Sequence, residues 1–238
     1  MSGIKIESIS IGDLLLNLFE NRYLVPEFQR DFVWNESQII GLLNSILEAK
    51  PIGMITVWEQ EFESKLPLEN IKVEDRDNSK LINFNKFFSE NPVKENRSAL
   101  PASYSVILDG KQRSTAIAMA FGGLSPDHGS KKFSGRYFID VKEEDKSQRL
   151  IFLKNTDIRK RRLDNIANYV RQGLFPIKLD DFGLRMHETW MKFSNNIDRK
   201  VYYGNEDITD DEIKKREARI NESFSGLLYT KLAVYIVP

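Results

Sequence analysis

The sequence predicts a mixed α/β (α+β) fold with a helical extension, and three local patterns carry that expectation. SVILDGKQRSTAIAMAFGG, residues 105 to 123, is an apolar run that breaks at Asp109-Gly110 and resumes as an alanine-rich segment with helical spacing. That is a strand feeding a helix through a glycine turn. Next, Ile39, Ile40, Leu42, Leu43, Ile46 and Leu47 form one apolar helical face from Asn35 onward that ends before Pro51, and GMITVW, residues 53 to 58, follows as a strand. Finally, RYFIDV, residues 136 to 141, reads as a strand ahead of mainly helical patterns. With 238 residues and 41% hydrophobic content, the chain can bury a substantial core in one domain or two small ones.

Taken in order, Ser10 and Asp13 have capping-box spacing and open a helix near 11–20 whose face is Leu14, Leu15, Leu18 and Phe19. YLVPEFQRDFVW, residues 23 to 34, alternates poorly and holds Pro26, so an extended segment with a turn is expected there rather than a central strand. Residues 59 to 103 are polar, contain Pro67, Pro92 and Pro101, and show an apolar period only in LINFNKFF, residues 81 to 88. They read as an irregular insertion. The strand of the first pattern covers 104–108, and its helix runs from about Lys111 to Phe121 and stops at Gly122-Gly123. Helical patterns follow at 157–172, 181–196 and 209–225, the last opened by Thr209 and Glu212. LLYTKLAVYIVP, residues 227 to 238, is strand-like, and an unpaired apolar strand exposes a sticky edge, so a continuation that covers it is expected. The resulting organisation is a core over 1–145, interrupted by the insertion at 59–103, and a mainly helical extension over 146–238.

Charge and composition exclude several function classes. Lys and Arg number 35 against 35 Asp and Glu, so no whole-chain field draws the protein to nucleic acid or an anionic membrane. Any such partner must meet a local patch. The absence of cysteine rules out disulfides and thiolate metal sites, and His128 and His187 are too far apart in sequence to suggest a zinc site. The N-terminal MSGIKIESISIGDLLL mixes acids with apolar residues and does not read as a signal peptide, and no segment is apolar enough to span a bilayer. A cytoplasmic location without membrane contact is the expectation.

The glycine turn carries the chemistry. A helix N-terminus has unpaired N–H groups and a positive dipole end, which together bind anions, phosphate above all. Gly110 removes the Cβ that would obstruct backbone approach, Lys111 and Arg113 add charge, and Gln112, Ser114 and Thr115 add neutral hydrogen bonds. The stretch is not a Walker A loop, because Ser105 stands where that motif has its first glycine and Gln112 follows Lys111. An N-capping Asp109 and a solvated cationic first turn account for the same residues without any ligand. Asp109 beside a bound phosphate would repel it unless Mg2+ bridged the two anions; orienting Arg113 or a water, or capping alone, are its other roles.

LDGKQRSTAI, together with VPEFQRDFVW, the helix after it and KPIGMITVWE, resembles the DGQQR-motif family. That family comprises the N-terminal domain of GmrSD-like type IV restriction enzymes and related anti-phage defence proteins, with a ParB/sulfiredoxin-like core. The resemblance covers about residues 9 to 58 and 104 to 141, and Lys111 stands where the motif usually has glutamine. It implies nucleoside triphosphate binding, often hydrolysis, coupled to control of a DNA-cleaving domain or partner protein. By position it places Asp109, Gly110, Gln112 and Arg113 in the site, with Asp109 and Arg113 catalytic, and Gln29 and Arg30 across the pocket. Phe28 and Trp34 either wall that pocket, stack on a base, or simply pack. The HNH nuclease chemistry of related enzymes needs closely placed histidines, which His128 and His187 do not supply. From Lys154 to Lys178 there are seven cations against two acids, densest at Arg159, Lys160, Arg161 and Arg162, which form either a DNA contact or a solvated face. The alternative function is a non-hydrolysing ParB-like nucleic-acid-binding module, and a third is a degenerate interaction domain.

Overall fold

The computed structural model describes residues 3–19, 21–60, 66–69, 71, 73–74, 103–122, 125–126, 135–163, 166–178 and 208–238. Its strands are β1 (Lys5–Ser10), β2 (Tyr23–Pro26), β3 (Met54–Gln60), β4 (Leu68–Glu69), β5 (Val73–Glu74), β6 (Tyr104–Asp109), β7 (Ser125–Pro126), β8 (Gly135–Asp140), β9 (Leu150–Lys154), β10 (Leu174–Pro176) and β11 (Lys231–Val237). Its helices are α1 (Ile11–Phe19), α2 (Glu36–Leu47), α3 (Lys111–Gly122), α4 (Asn155–Lys160), α5 (Ile166–Gln172) and α6 (Asp210–Tyr229). The mixed α/β class is as expected. A six-stranded sheet runs β1-β11-β3-β6-β2-β4, a three-stranded sheet runs β10-β8-β9, and β5 pairs with β7.

Local chemistry accounts for the helix starts. Ser10 and Asp13 exchange the expected bonds, with the Asp13 N–H donating to Ser10 Oγ at 3.0 Å and the Ser10 N–H to Asp13 Oδ2 at 3.0 Å. Asn35 and Gln38 build a second capping box for α2, which buries Ile39, Leu42, Leu43, Ile46 and Leu47. Thr209 caps α6 through Glu212 N. In α3 the residues Ala116 to Phe121 are all buried, so this helix has apolar contacts on every side and forms the centre of the main core with Leu14, Leu15, Leu43, Ile55 and Ile107.

The structure departs from the sequence expectations at several elements. Residues 23–26 are an internal strand, since β2 lies between β6 and β4, and Pro26 is tolerated because it occupies the last position of the strand. The helix expected over 157–172 is two short helices, separated by a turn in which Arg162 has φ of 53°, and β9 and β10 flank them. The helix expected to end at 225 continues to Tyr229, and β11 follows. That strand is covered on both sides, antiparallel to β1 and parallel to β3, so the edge expected of it is absent. In the segment expected to be an irregular insertion, β4 extends the main sheet; LINFNKFF lies outside the described residues, as does the helix expected at 181–196.

Candidate functional site

Sheet topology brings three distant segments to one point. β2 and β6 are parallel neighbours, so the segment after Pro26 and the turn after Asp109 emerge at the same end of the sheet. β3 is antiparallel to β6, so its beginning, Gly53-Met54, lies there too. In the β3–β6 ladder Val57 pairs with Ile107 and Thr56 with Asp109, which leaves Leu108 as the extra residue of a bulge. The irregularity turns the last residues of β6 outward, and Leu108 and Asp109 are both exposed. Gly110 then takes φ of +104°, with Ile55 Cγ1 3.0 Å from where a Cβ would stand. Only glycine satisfies both the conformation and the contact.

The two motif segments are clasped by their own side chains. Gln29 Nε2 donates to Ile107 O at 2.6 Å and to Leu108 O at 3.2 Å. In return, Gln112 Nε2 donates to Asp31 O at 2.9 Å while Gln112 Oε1 accepts from Val33 N at 2.9 Å. Lys111 Nζ donates to Gln29 O at 3.2 Å and lies 3.5 Å from Glu69 Oε1, both side chains being nearly buried. Arg113 Nη2 donates to Met54 O at 2.5 Å and to Asp109 Oδ2 at 3.1 Å. Its Nε is buried without a partner.

Between the clasped segments is a cleft of about 310 Å3 lined by Gln29, Arg30, Trp34, Leu108, Asp109, Gly110, Lys111, Gln112 and Arg113. Three of these are cations and one is a carboxylate, at the N-terminus of a twelve-residue helix. Such a site favours anions. Arg30 is exposed and forms no hydrogen bond or ion pair among the described residues. The expected residues divide accordingly. Gln29, Arg30, Asp109, Gly110, Lys111, Gln112 and Arg113 come together, with Trp34 beside them. Ser114 and Thr115 turn into the core, where the Thr115 hydroxyl donates to Lys111 O at 2.8 Å, and Phe28 is 73% exposed and does not line the cleft. Arg159 to Arg162 lie on the surface beside the small sheet, and His128 and His187 fall outside the described residues. Sequence reading missed Glu69, Met54 and Leu108; only the KPIGM glycine, whose φ is +83°, hinted that β3 begins beside the site.

The cleft offers a divalent metal a single carboxylate, Asp109. Mg2+ takes one or two protein carboxylates and completes its shell with phosphate oxygens and water. Asp109, 72% exposed at its side chain, engages Arg113 through Oδ2, and Oδ1 carries no bond among the described residues. No group of three or more histidines or carboxylates assembles a metal site among the described residues, and no helix among them is long and apolar enough to cross a membrane.

A model of the GmrSD restriction endonuclease N-terminal domain matches residues 11–233. The chain belongs to this family. The GmrSD N-terminal domain therefore takes in both clasped segments and the helical and strand elements up to β11. A Methanocaldococcus jannaschii protein described as uncharacterized protein MJ0686 is 26% identical over 196 residues, 78% of this chain and 31% of that relative. The chain thus spans less than a third of the length of that curated relative.

Proposed function

We propose that the cleft binds a nucleoside triphosphate, that the domain hydrolyses it, and that hydrolysis controls a separate DNA-cleaving domain or partner protein. The observation that supports this reading is the convergence of Arg30, Lys111 and Arg113 on the glycine turn at the start of α3. A volume of about 310 Å3 is at the small end for a ligand pocket, and it suits a phosphate tail with the nucleoside reaching toward Trp34. In this reading the unpaired N–H groups of Gly110 to Arg113 and the Arg30 guanidinium hold phosphate oxygens. Gln29 and Gln112 act through the clasp, keeping the two walls at fixed separation. Lys111 contributes charge from the floor of the cleft, tempered by Glu69. Asp109 either orients the attacking water or would share a Mg2+ with the phosphates; a bound Mg2+ would neutralise charge on the transferred phosphoryl group.

A thermal-shift panel of nucleoside triphosphates, with and without magnesium, tests the binding, since a ligand specific for the native state raises stability. Phosphate release then tests turnover. A shift with at least one triphosphate and magnesium-dependent release are expected. No shift with any triphosphate, together with strongly salt-dependent duplex DNA binding that is lost when the cleft residue Arg30 is replaced by alanine, would replace this reading with the nucleic-acid module.

A further inference from the structure

We propose that the cationic turn joining α4 to α5 docks the phosphate backbone of duplex DNA, an inference that rests on the reading that this domain works with a DNA-cleaving partner. The turn is a Schellman closure: the Leu163 N–H donates to Ile158 O at 3.0 Å and the Arg162 N–H to Arg159 O at 3.0 Å. Ile158 and Leu163 pack in one cluster beneath it. Its left-handed residue is Arg162, where glycine would adopt the conformation without steric conflict. Asn21 and Ala49 share this conformation, and of the three only Arg162 carries a cation.

The backbone beneath the cations is fixed. Gln172 Nε2 donates to Arg161 O at 2.7 Å and Asn168 Nδ2 to Arg162 O at 2.6 Å, so α5 holds two successive carbonyls of the turn. Arg159, Lys160, Arg161 and Arg162 are all exposed, as are Lys154 and Arg171 nearby in the chain, and none of the six has an ion-pair partner among the described residues. Asp157 lies in the first turn of α4, ahead of the cluster. The dipole of α4 accounts for cations in its last turn, Arg159 and Lys160, but not for Arg161 and Arg162 beyond its end. Guanidinium groups on a preformed turn match phosphodiester oxygens bidentately. Because the whole chain is formally neutral, this local excess is the charge a polyanion would meet.

Fluorescence anisotropy with a labelled random-sequence duplex and the full 238-residue chain, over a series of salt concentrations, tests the docking. Arg162→Gly removes a cation and relieves the left-handed strain together, so it is expected to raise the melting temperature while weakening binding. Its log–log salt slope should fall by about one. Replacing Arg159, Lys160 and Arg161 with alanine should lower the slope further, and the triphosphate-induced thermal shift should stay as in wild type for both variants. Unchanged affinity and slope in both, no duplex binding by the wild type, or tighter binding to single-stranded RNA than to duplex would each overturn the proposal. Loss of the triphosphate shift with duplex binding intact would instead sink the nucleotide reading and leave this surface standing.

Discussion

Asp109 and Arg113 face each other across one turn of helix at 3.1 Å, and each has a second duty: the carboxylate is at the mouth of the cleft and the guanidinium holds Met54 O. Asp109→Asn keeps the side-chain shape and can still accept from Arg113, so folded protein with abolished magnesium-dependent phosphate release is expected; near-normal turnover would remove Asp109 from the reaction. Arg113→Lys keeps charge but cannot reproduce the two-directional fork, so it should weaken triphosphate binding almost as much as Arg113→Ala in calorimetric titration. Lys111 behaves differently. Its ammonium is nearly buried, 3.5 Å from Glu69 and bonded to Gln29 O, and Lys111→Ala removes both contacts, so a loss of stability is expected in urea unfolding. Restoring the usual family residue together with its neutral partner, Lys111→Gln with Glu69→Gln, should recover most of that loss. The DGKQR stretch was legible from sequence as a glycine turn and a candidate site, and so was the departure at Lys111. Its compensation by Glu69 was not, because Glu69 lies in a stretch of polar residues with no pattern and only the β2–β4 ladder brings it to the cleft.

Helix α6 shows how an element is held by contacts that no periodicity reveals. A Cβ on Gly226 would stand 1.9 Å from the Leu47 carbonyl oxygen, so α6 crosses the end of α2 with backbone against backbone. The Thr230 hydroxyl donates to Ile46 O at 2.8 Å beside it. Gly226→Ala must push the helices apart, and a drop in melting temperature of several degrees is expected where a surface Gly→Ala in a helix would raise it. The other face of α6 is tied to the loop before β9, where Arg149 Nη1 donates to Glu222 Oε2 at 2.6 Å and Arg219 Nη1 to Val141 O at 2.8 Å. The Arg149 hydrogen bond holds the Glu222 carboxyl below its usual range. A lowered native pKa means stability present above the ordinary glutamate value and lost as pH falls below it, so Glu222→Gln should flatten the acid limb of the melting-temperature profile. The effect is small, because Glu222 is half exposed. Thr209 with Glu212 made the start of α6 readable, and the split between α4 and α5 was hidden because Arg162 carries no glycine to mark the turn.

At the scale of the whole molecule, the site depends on strand order. The parallel pair β2–β6 and the antiparallel pair β3–β6 send residues near 29, 53 and 110 to one end of the sheet, an outcome of pairing that local sequence does not encode. The individual strands at 53–58 and 104–108 were readable from alternation and flanking glycine. β1, β9 and β10 were not, being short or mostly exposed, and β11 was read as an edge although it sits inside the sheet. A fragment ending at residue 145 therefore lacks the strand between β1 and β3, and it should show no cooperative unfolding transition by circular dichroism. Calorimetric titration of magnesium nucleoside triphosphates into wild type and Arg30→Ala tests whether the clasped cleft holds a triphosphate. Arg30 lines the cleft and has no partner among the described residues, so its removal leaves the fold intact. Saturable binding by the wild type, weakened about tenfold in Arg30→Ala, is the expected result; no heat with any triphosphate, or equal affinities for the two proteins, would contradict it.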